Sequence, residues 1–308
     1  MNDKPIVDDI PFDRSMDAPA GEMRQLSPLV RRLVAGNGGP FTFTGTCTYI
    51  VGKGNVAVID PGPDSAEHMA VLLEALRGET ITDIVITHTH RDHSPAAALL
   101  KQATGARIIG CAPHSRAREL ALGEVARLDA SNDHDYAPDL IMEDGDAYSG
   151  DGFTLQAMAT PGHTMNHLAF QLPEERTLFS GDHVMAWSTS IVAPPDGSMS
   201  HYMASLDKLR GRDEVVYWPG HGGPVNEPQR FVRALSHHRR VREASILGRL
   251  HAGDTAIPAI VERIYEGLNP ALKGAAALSV FAHMEDLVER GLVKAEGPVT
   301  LEARYEKK

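Results

Sequence analysis

The alternation of apolar and polar positions divides the chain into three stretches of different rhythm. No element is read before Phe41. The segment FTFTGTCTYIV (residues 41–51) is rich in Thr, Tyr, Ile and Val, which suit a strand. Gly52-Lys53-Gly54-Asn55 predicts a hairpin turn into VAVID (56–60), a short buried strand. Pro61-Gly62-Pro63 ends it, and Asp64, three residues before Glu67, marks the start of a helix running to Arg77. ITDIVIT (81–87) is the next strand. Ser94 and Pro95 then read as the N-cap and first residue of a helix, and ARIIG (106–110) as a strand.

From Asp139 the rhythm becomes short strands between turns: 152–160, 167–172 and 176–181, then a helix over 199–210 and a strand over 214–218. Hairpin and crossover connections together predict an α/β chain with two sheets and helices outside. After Pro228 the pattern is helical. A charged amphipathic stretch (229–250) is followed by helices over 255–266 and 271–290, and by two short strands, 292–295 and 299–303, around Gly297-Pro298. That is the outline of a winged helix. The expected domains are 1–228 and 229–308.

Composition narrows the class. The chain has 308 residues, 42% of them apolar, and no apolar run long enough to cross a bilayer as a helix. The acidic, proline-broken first 21 residues do not read as an export signal, and two cysteines cannot form a disulfide framework. A cytoplasmic protein with no membrane partner is expected. The net charge of −11 gives no general attraction for polyanions. Residues 239–308 hold 11 Lys and Arg against 10 Asp and Glu, so a basic patch for nucleic acid would have to lie there. Arg239, Arg240, Arg242 and Arg249 read as a solvated helix face.

The 15 histidines carry the chemistry, because they cluster. His88-x-His90-x-Asp92-His93 leaves a buried strand directly. Imidazole and carboxylate are the usual nitrogen and oxygen ligands of zinc and related ions. Alternation puts His88 and His90 on one side of an extended backbone, while Asp92 and His93 turn towards a second ion. Three more candidates follow strand ends beside glycine: His163 in TPGHT, Asp182 in SGDH and His221 in WPGHG. Together they supply five imidazoles and two carboxylates, enough for two metals with one carboxylate bridging.

At this point the chain resembles the metallo-β-lactamase-fold hydrolases. Their five ordered motifs are matched by Asp60, the HTHRDH run, His163, Asp182 and His221, over residues 38–225. The resemblance implies a four-layer αββα sandwich with a dinuclear site at one edge. His88, His90 and His163 would hold one ion, and Asp92, His93 and His221 the other, with Asp182 between them. Asp60 would support the site by hydrogen bonds. GTCTYIVG, ATPGHT and a C-terminal winged helix are similar to the β-lactamase-like endoribonuclease subgroup. Two departures stand out: Cys47, where that subgroup usually has Asn, and the stretch Ala186–Ser200, which is not matched to a substrate loop.

The resulting expectation is a hydrolase whose metal-bound hydroxide attacks an ester, thioester or lactone carbonyl. Asp92 would be the catalytic proton acceptor. The ions would be two divalent metals, zinc first and manganese or iron as alternatives. The competing expectation is cleavage of single-stranded RNA at the same metals. No substrate-contacting residue is assigned, although Trp187 and Tyr202 could line the pocket mouth or simply pack. His167 and His183 read as surface or supporting residues. A homo-oligomer is compatible with the chain.

Overall fold

The computed structural model describes residues 10–16, 18–121, 124 and 131–308. Much of the N-terminal stretch read for an export signal, residues 1–9 and 17, lies outside the described residues. Seven strands form the first sheet in chain order: β1 (Arg24–Gln25), β2 (Val30–Val34), β3 (Cys47–Lys53), β4 (Asn55–Ile59), β5 (Thr80–Ile86), β6 (Arg107–Gly110) and β7 (Leu140–Ile141). Pairing is antiparallel as far as β4 and parallel from β4 to β7. The parallel steps carry crossover helices, α1 (Ala66–Ala75) between β4 and β5, and α2 (Ala96–Thr104) between β5 and β6. The second sheet has the order β12-β11-β10-β9-β8, built from β8 (Ala147–Ser149), β9 (Thr154–Ala159), β10 (Leu168–Leu172), β11 (Thr177–Gly181) and β12 (Val216–Pro219).

Strand alternation assigns the faces. In β10, Leu168, Phe170 and Leu172 join Tyr49, Ile50 and Val58 of the first sheet in one core, whereas Ala169 faces the other way. Ala169, Leu178 and Tyr217 pack instead on Tyr202 and Leu206 of α3 (Met199–Leu209) and on Phe231 and Leu235 of α4 (Pro228–His251). Leu72 of α1 and Leu100 of α2 cover the first sheet. The layers therefore run helix, sheet, sheet, helix.

A third core belongs to the C-terminal elements. Ile246 and Leu250 of α4 meet Ile257 and Ile260 of α5 (Ile257–Ile264) and Val280, Phe281 and Met284 of α6 (Lys273–Glu289). A ribbon of β13 (Val293–Ala295) and β14 (Tyr305–Lys307) closes it with Val293 and Tyr305. No helix among the described residues is long and apolar enough to cross a membrane.

The structure corrects several sequence expectations. Strand β2, VRRLV, was not read, because Arg31 and Arg32 interrupt its apolar run. Arg31 is satisfied by Glu79, and Arg32 is buried. Residues 41–46 are not a strand. Gly45 has φ +131°, and a Cβ there would lie 2.0 Å from the Ala35 carbonyl oxygen, so the chain bends tightly before β3. The cap of α1 is Ser65, whose hydroxyl accepts from the His68 amide at 3.3 Å, and not Asp64. Ser94 does not cap α2; it donates to Asp133 at 2.7 Å, tying down the histidine loop. The last strand is 305–307 and not 299–303, because its partner register pairs Tyr305 with Ala295.

Candidate metal centre

Every candidate residue stands just beyond the C-terminal end of a strand. Asp60 follows β4, the run His88–His93 follows β5, His163 follows β9, Asp182 follows β11 and His221 follows β12. These ends belong to both sheets, so the two-sheet packing gathers residues far apart in the chain. The distances are short: His88 Nε2 to His90 Nδ1 is 3.2 Å, His90 Nδ1 to His163 Nε2 is 3.0 Å, and His93 Nε2 to His221 Nε2 is 3.2 Å. Asp92 Oδ2 lies 3.1 Å from His221 Nε2, and Asp182 Oδ2 lies 3.3 Å from the same atom and 3.6 Å from His163 Nε2. Two groups able to hold an ion result, His88, His90, His163 and Asp182 in one and Asp92, His93 and His221 in the other, with Asp182 touching both; a third, Asp60, His88 and His93, lies behind them.

The donor set fits divalent ions. Ligand atoms each about 2.0–2.1 Å from a tetrahedral ion stand about 3.3 Å from one another, close to these separations. Asp182 Oδ1 is buried with no hydrogen-bond partner, an orphan acceptor that a cation would satisfy.

The outer nitrogens explain why the inner ones converge. His93 Nδ1–H donates to Asp60 Oδ2 at 2.9 Å, His163 Nδ1–H to the Ile191 carbonyl at 2.6 Å, and His221 Nδ1–H to the Gly45 carbonyl at 3.3 Å. His88 Nδ1 meets the Thr87 hydroxyl at 3.0 Å, and that hydroxyl donates to Asp60 at 2.7 Å. Each bond keeps a proton on Nδ1 and turns Nε2 inward, the nitrogen that would coordinate an ion. Asp60 thus orients two imidazoles while holding a left-handed φ of +48°, a conformation costly for a residue other than glycine.

Charge follows the same division. Burial and the His163 imidazole lower the pKa of His90 to about 3, so it is neutral and ready to coordinate. Burial alone would lower His221 too, but Asp182 and Asp92 outweigh it and raise the group to about 9. For Asp92 and Asp182 burial opposes ionisation, and the imidazoles beside them overcome it and hold both carboxyls well below the usual range.

Two residues expected at the surface or in support are both buried. His167 accepts the Asp182 amide on Nε2 at 3.1 Å and meets Thr160 through Nδ1 at 2.8 Å, so it supports the bridging position. His183 packs against Tyr202, whose hydroxyl donates to the His183 carbonyl. Cys47 is buried with its thiol 3.7 Å from the Gly222 carbonyl, and burial raises its pKa.

Two cavities meet over the cluster. One, of 590 Å³, has His90, Asp92, His163, Asp182 and His221 in its wall, facing Phe41, Ile191, Leu278 and Leu301. The other, of 410 Å³, shares His163, Asp182 and Ile191 and extends past Trp187 to Arg239, Arg242 and Tyr265. Tyr202 is fully buried and packs, whereas Trp187 lines this second cavity and stacks on Phe43. The unmatched stretch Ala186–Ser200 therefore contributes both the Ile191 carbonyl that holds His163 and part of a cavity wall. Arg239 and Arg242 are not on a solvated face: they are 3% and 8% exposed. Their spacing of three puts them on one face of the helix, but the sequence alone does not say what that face meets.

Comparison with known proteins bears on the fold and the family. Residues 41–221 match the metallo-beta-lactamase superfamily, and residues 256–299 match the beta-lactamase associated winged helix domain. A beta-lactamase-like protein 2 homolog from Caenorhabditis elegans is 30% identical over 280 residues, 88% of each chain. An atrochrysone carboxyl ACP thioesterase from Paecilomyces divaricatus is 33% identical over 226 residues, 72% of this chain and 65% of that one. In fold, a metallo-beta-lactamase family protein from Thermus thermophilus superposes with a TM-score of 0.74 at 24% identity, covering 92% of this chain and all of that one. A beta-lactamase domain protein from Burkholderia ambifaria gives 0.76 at 19%, covering 97% of both. With its two-sheet sandwich, its His/Asp cluster able to bind metal and its C-terminal winged helix, the chain belongs to the metallo-beta-lactamase superfamily of hydrolases.

Proposed function

We propose that the protein is a dinuclear metal-dependent hydrolase of an acyl thioester. The observation that carries this reading is the cluster itself, which opens onto a cavity whose far wall is Phe41, Ile191, Leu278 and Leu301. An apolar wall suits an acyl chain, and its 590 Å³ is within the range of small-molecule sites. Relatives named as carboxyl ACP thioesterases support thioesters over esters and lactones.

His88, His90 and His163 are assigned to one divalent ion and Asp92, His93 and His221 to the other, with Asp182 bridging; zinc is the ion proposed first. Such ions supply Lewis acidity and lower the pKa of water near neutrality. Asp92 is assigned the proton. Its Oδ2 carries the contacts to His93, His221 and the Thr46 hydroxyl, and Oδ1 is the oxygen that takes the proton of the attacking water. Water adds to the acyl carbon, the carbon–sulfur bond breaks, and the proton held by Asp92 passes to the departing thiolate. Residues 229–308 are proposed as a winged-helix domain joined to the sandwich through Phe231 and Leu235, and it closes the cavity with Leu278 and Leu301.

The test is thiol release from an acyl N-acetylcysteamine thioester by zinc-loaded protein, with His163→Ala and Asp182→Ala as controls. Release that both substitutions abolish is the expected result. No release from any thioester, with single-stranded RNA cut at the same metals, would replace this reading with the nuclease one. Full turnover by Asp92→Asn with both metals retained would remove Asp92 from its role.

A further inference from the structure

The second cavity has a composition the thioester chemistry does not itself require. Arg239 donates to the Ser190 carbonyl at 2.5 Å and to the Ser279 hydroxyl at 3.3 Å, and its guanidinium lies 5.1 Å from the centre of the Tyr202 ring. Arg242 stacks on Tyr265 at 4.3 Å. The Nε of each is buried without a hydrogen-bond partner. Neither pairs with a carboxylate among the described residues, whereas Arg118 pairs with Glu124 and Glu285, and Arg290 with Glu243 and Asp286.

Burying a cation without a counter-charge is unfavourable until an anion joins it. Both guanidinium groups line a cavity that reaches the metal cluster, with His163, Asp182 and Ile191 common to it and to the apolar cavity. A planar guanidinium is the side chain best matched to phosphate oxygens, and two of them can hold one phosphate between them. The field is felt nearby: burial, then Arg239 and Arg242, lower the pKa of His283 well below its usual value.

We propose that this second cavity is an anion subsite for the phosphate of a phosphopantetheine thioester, held by Arg239 and Arg242 while the acyl chain occupies the apolar cavity. The proposal rests on the thioester reading and deepens it. The scissile bond then lies where the two cavities meet, over His163 and Asp182. Ser188, Thr189 and Ser190 line the path between, offering polar contacts to the amide-bearing arm. The phosphopantetheine can belong to coenzyme A or to a carrier protein. A cavity of 410 Å³ with a single pair of guanidinium groups suits one phosphorylated arm better than a strand with a phosphate at every residue.

The experiment is calorimetry of zinc-loaded protein with 4′-phosphopantetheine and with pantetheine, alongside hydrolysis of their acyl thioesters, of acyl coenzyme A and of acyl carrier protein. The phosphate is expected to tighten binding about tenfold or more and to raise kcat/KM in the same ratio. Arg242→Gln should bring that ratio close to one, and Arg242→Lys should keep part of it. Faster turnover of the coenzyme A or the carrier-protein thioester would identify the source of the arm. Equal binding of the two pantetheines by the unsubstituted protein, with both thioesters hydrolysed, would overturn the subsite alone. Hydrolysis of no thioester at all would overturn the thioester reading, and the subsite with it. Because the unsubstituted protein already gives a decisive ratio, the test survives a variant that fails to fold.

Discussion

The histidine cluster and the arginine seam lie side by side over one pair of cavities, yet they are built on opposite principles. In the cluster, Asp182 Oδ1 apart, buried groups answer one another: imidazoles are neutral or faced by carboxylates, and the outer nitrogens of His88, His93, His163 and His221 are bonded to Asp60, Thr87 or backbone carbonyls. In the seam, two guanidinium groups are buried against aromatic rings and neutral oxygens, and neither is paired with a carboxylate among the described residues. A polar network satisfied at all but the oxygen that awaits a cation is rigid and preorganised. An unanswered pair of charges is a demand for a ligand. Side by side, the two suggest a division of labour between bond breaking and substrate selection.

The largest expected effect breaks the cluster at the residue shared by both of its groups. Asp182→Ala should lower hydrolysis by about 10³-fold or more, the upper end for loss of one preorganised charge, and metal content should fall with it. Elemental analysis beside kinetics checks this, and full metal occupancy with unchanged rate would contradict it.

Next is a change that alters no ligand. A Cβ on Gly220 would lie 2.4 Å from Asp182 Oδ1 and 2.7 Å from His93 Cε1. Gly220→Ala should therefore cost about 10²-fold in kcat/KM through displacement alone. A normal far-ultraviolet spectrum with reduced metal affinity would separate this from misfolding.

Asp60→Asn tests orientation more gently. The amide keeps the shape but loses the charge that holds His93 directly and His88 through Thr87. Metal affinity should fall about 10–100-fold, as for other groups behind a ligand. Competition with a chromophoric chelator measures it.

These three positions also show what could be read without coordinates. His88, His90, Asp92 and His93 are neighbours in sequence, and glycine beside His163, Asp182 and His221 marks strand ends, so the cluster is written in local motifs. The strands β3, β4, β5 and β10 were legible for the same reason, since each alternates or runs apolar between turn residues. The seam was not legible. Whether Arg239 faces water or a cavity depends on where Ser190 and Ser279 lie, 49 and 40 residues away. Residues 41–46 misled because β-branched and aromatic residues also suit a bent loop, here one that stacks Phe43 on Trp187 at 5.1 Å. β2 was missed because two arginines in a strand look exposed until Glu79 arrives from a distant turn.

The smallest effect concerns the seam and requires no activity. His283 of α6 is buried, with neither ring nitrogen hydrogen-bonded, and it faces Arg239, Arg242 and His238 of α4 and Arg290 at the end of its own helix. Burial first, and then Arg239, Arg242 and its other neighbours, hold its pKa well below the usual 6.5. The unfolded chain therefore binds this proton more readily than the folded one. The contribution to stability is complete above pH 6.5 and is lost as the pH falls below it, by at most about 1.4 kcal/mol per pH unit for one proton. Urea unfolding between pH 7.5 and 5 should show a shallower decline in His283→Gln than in the unsubstituted protein. Equal slopes would mean that the folded protein does not hold the His283 pKa below that of the unfolded chain. An anion bound between Arg239 and Arg242 should flatten the slope in the unsubstituted protein as well, because it offsets the field that excludes the proton. Such a change would bring the seam towards the charge-answered state that the cluster already has.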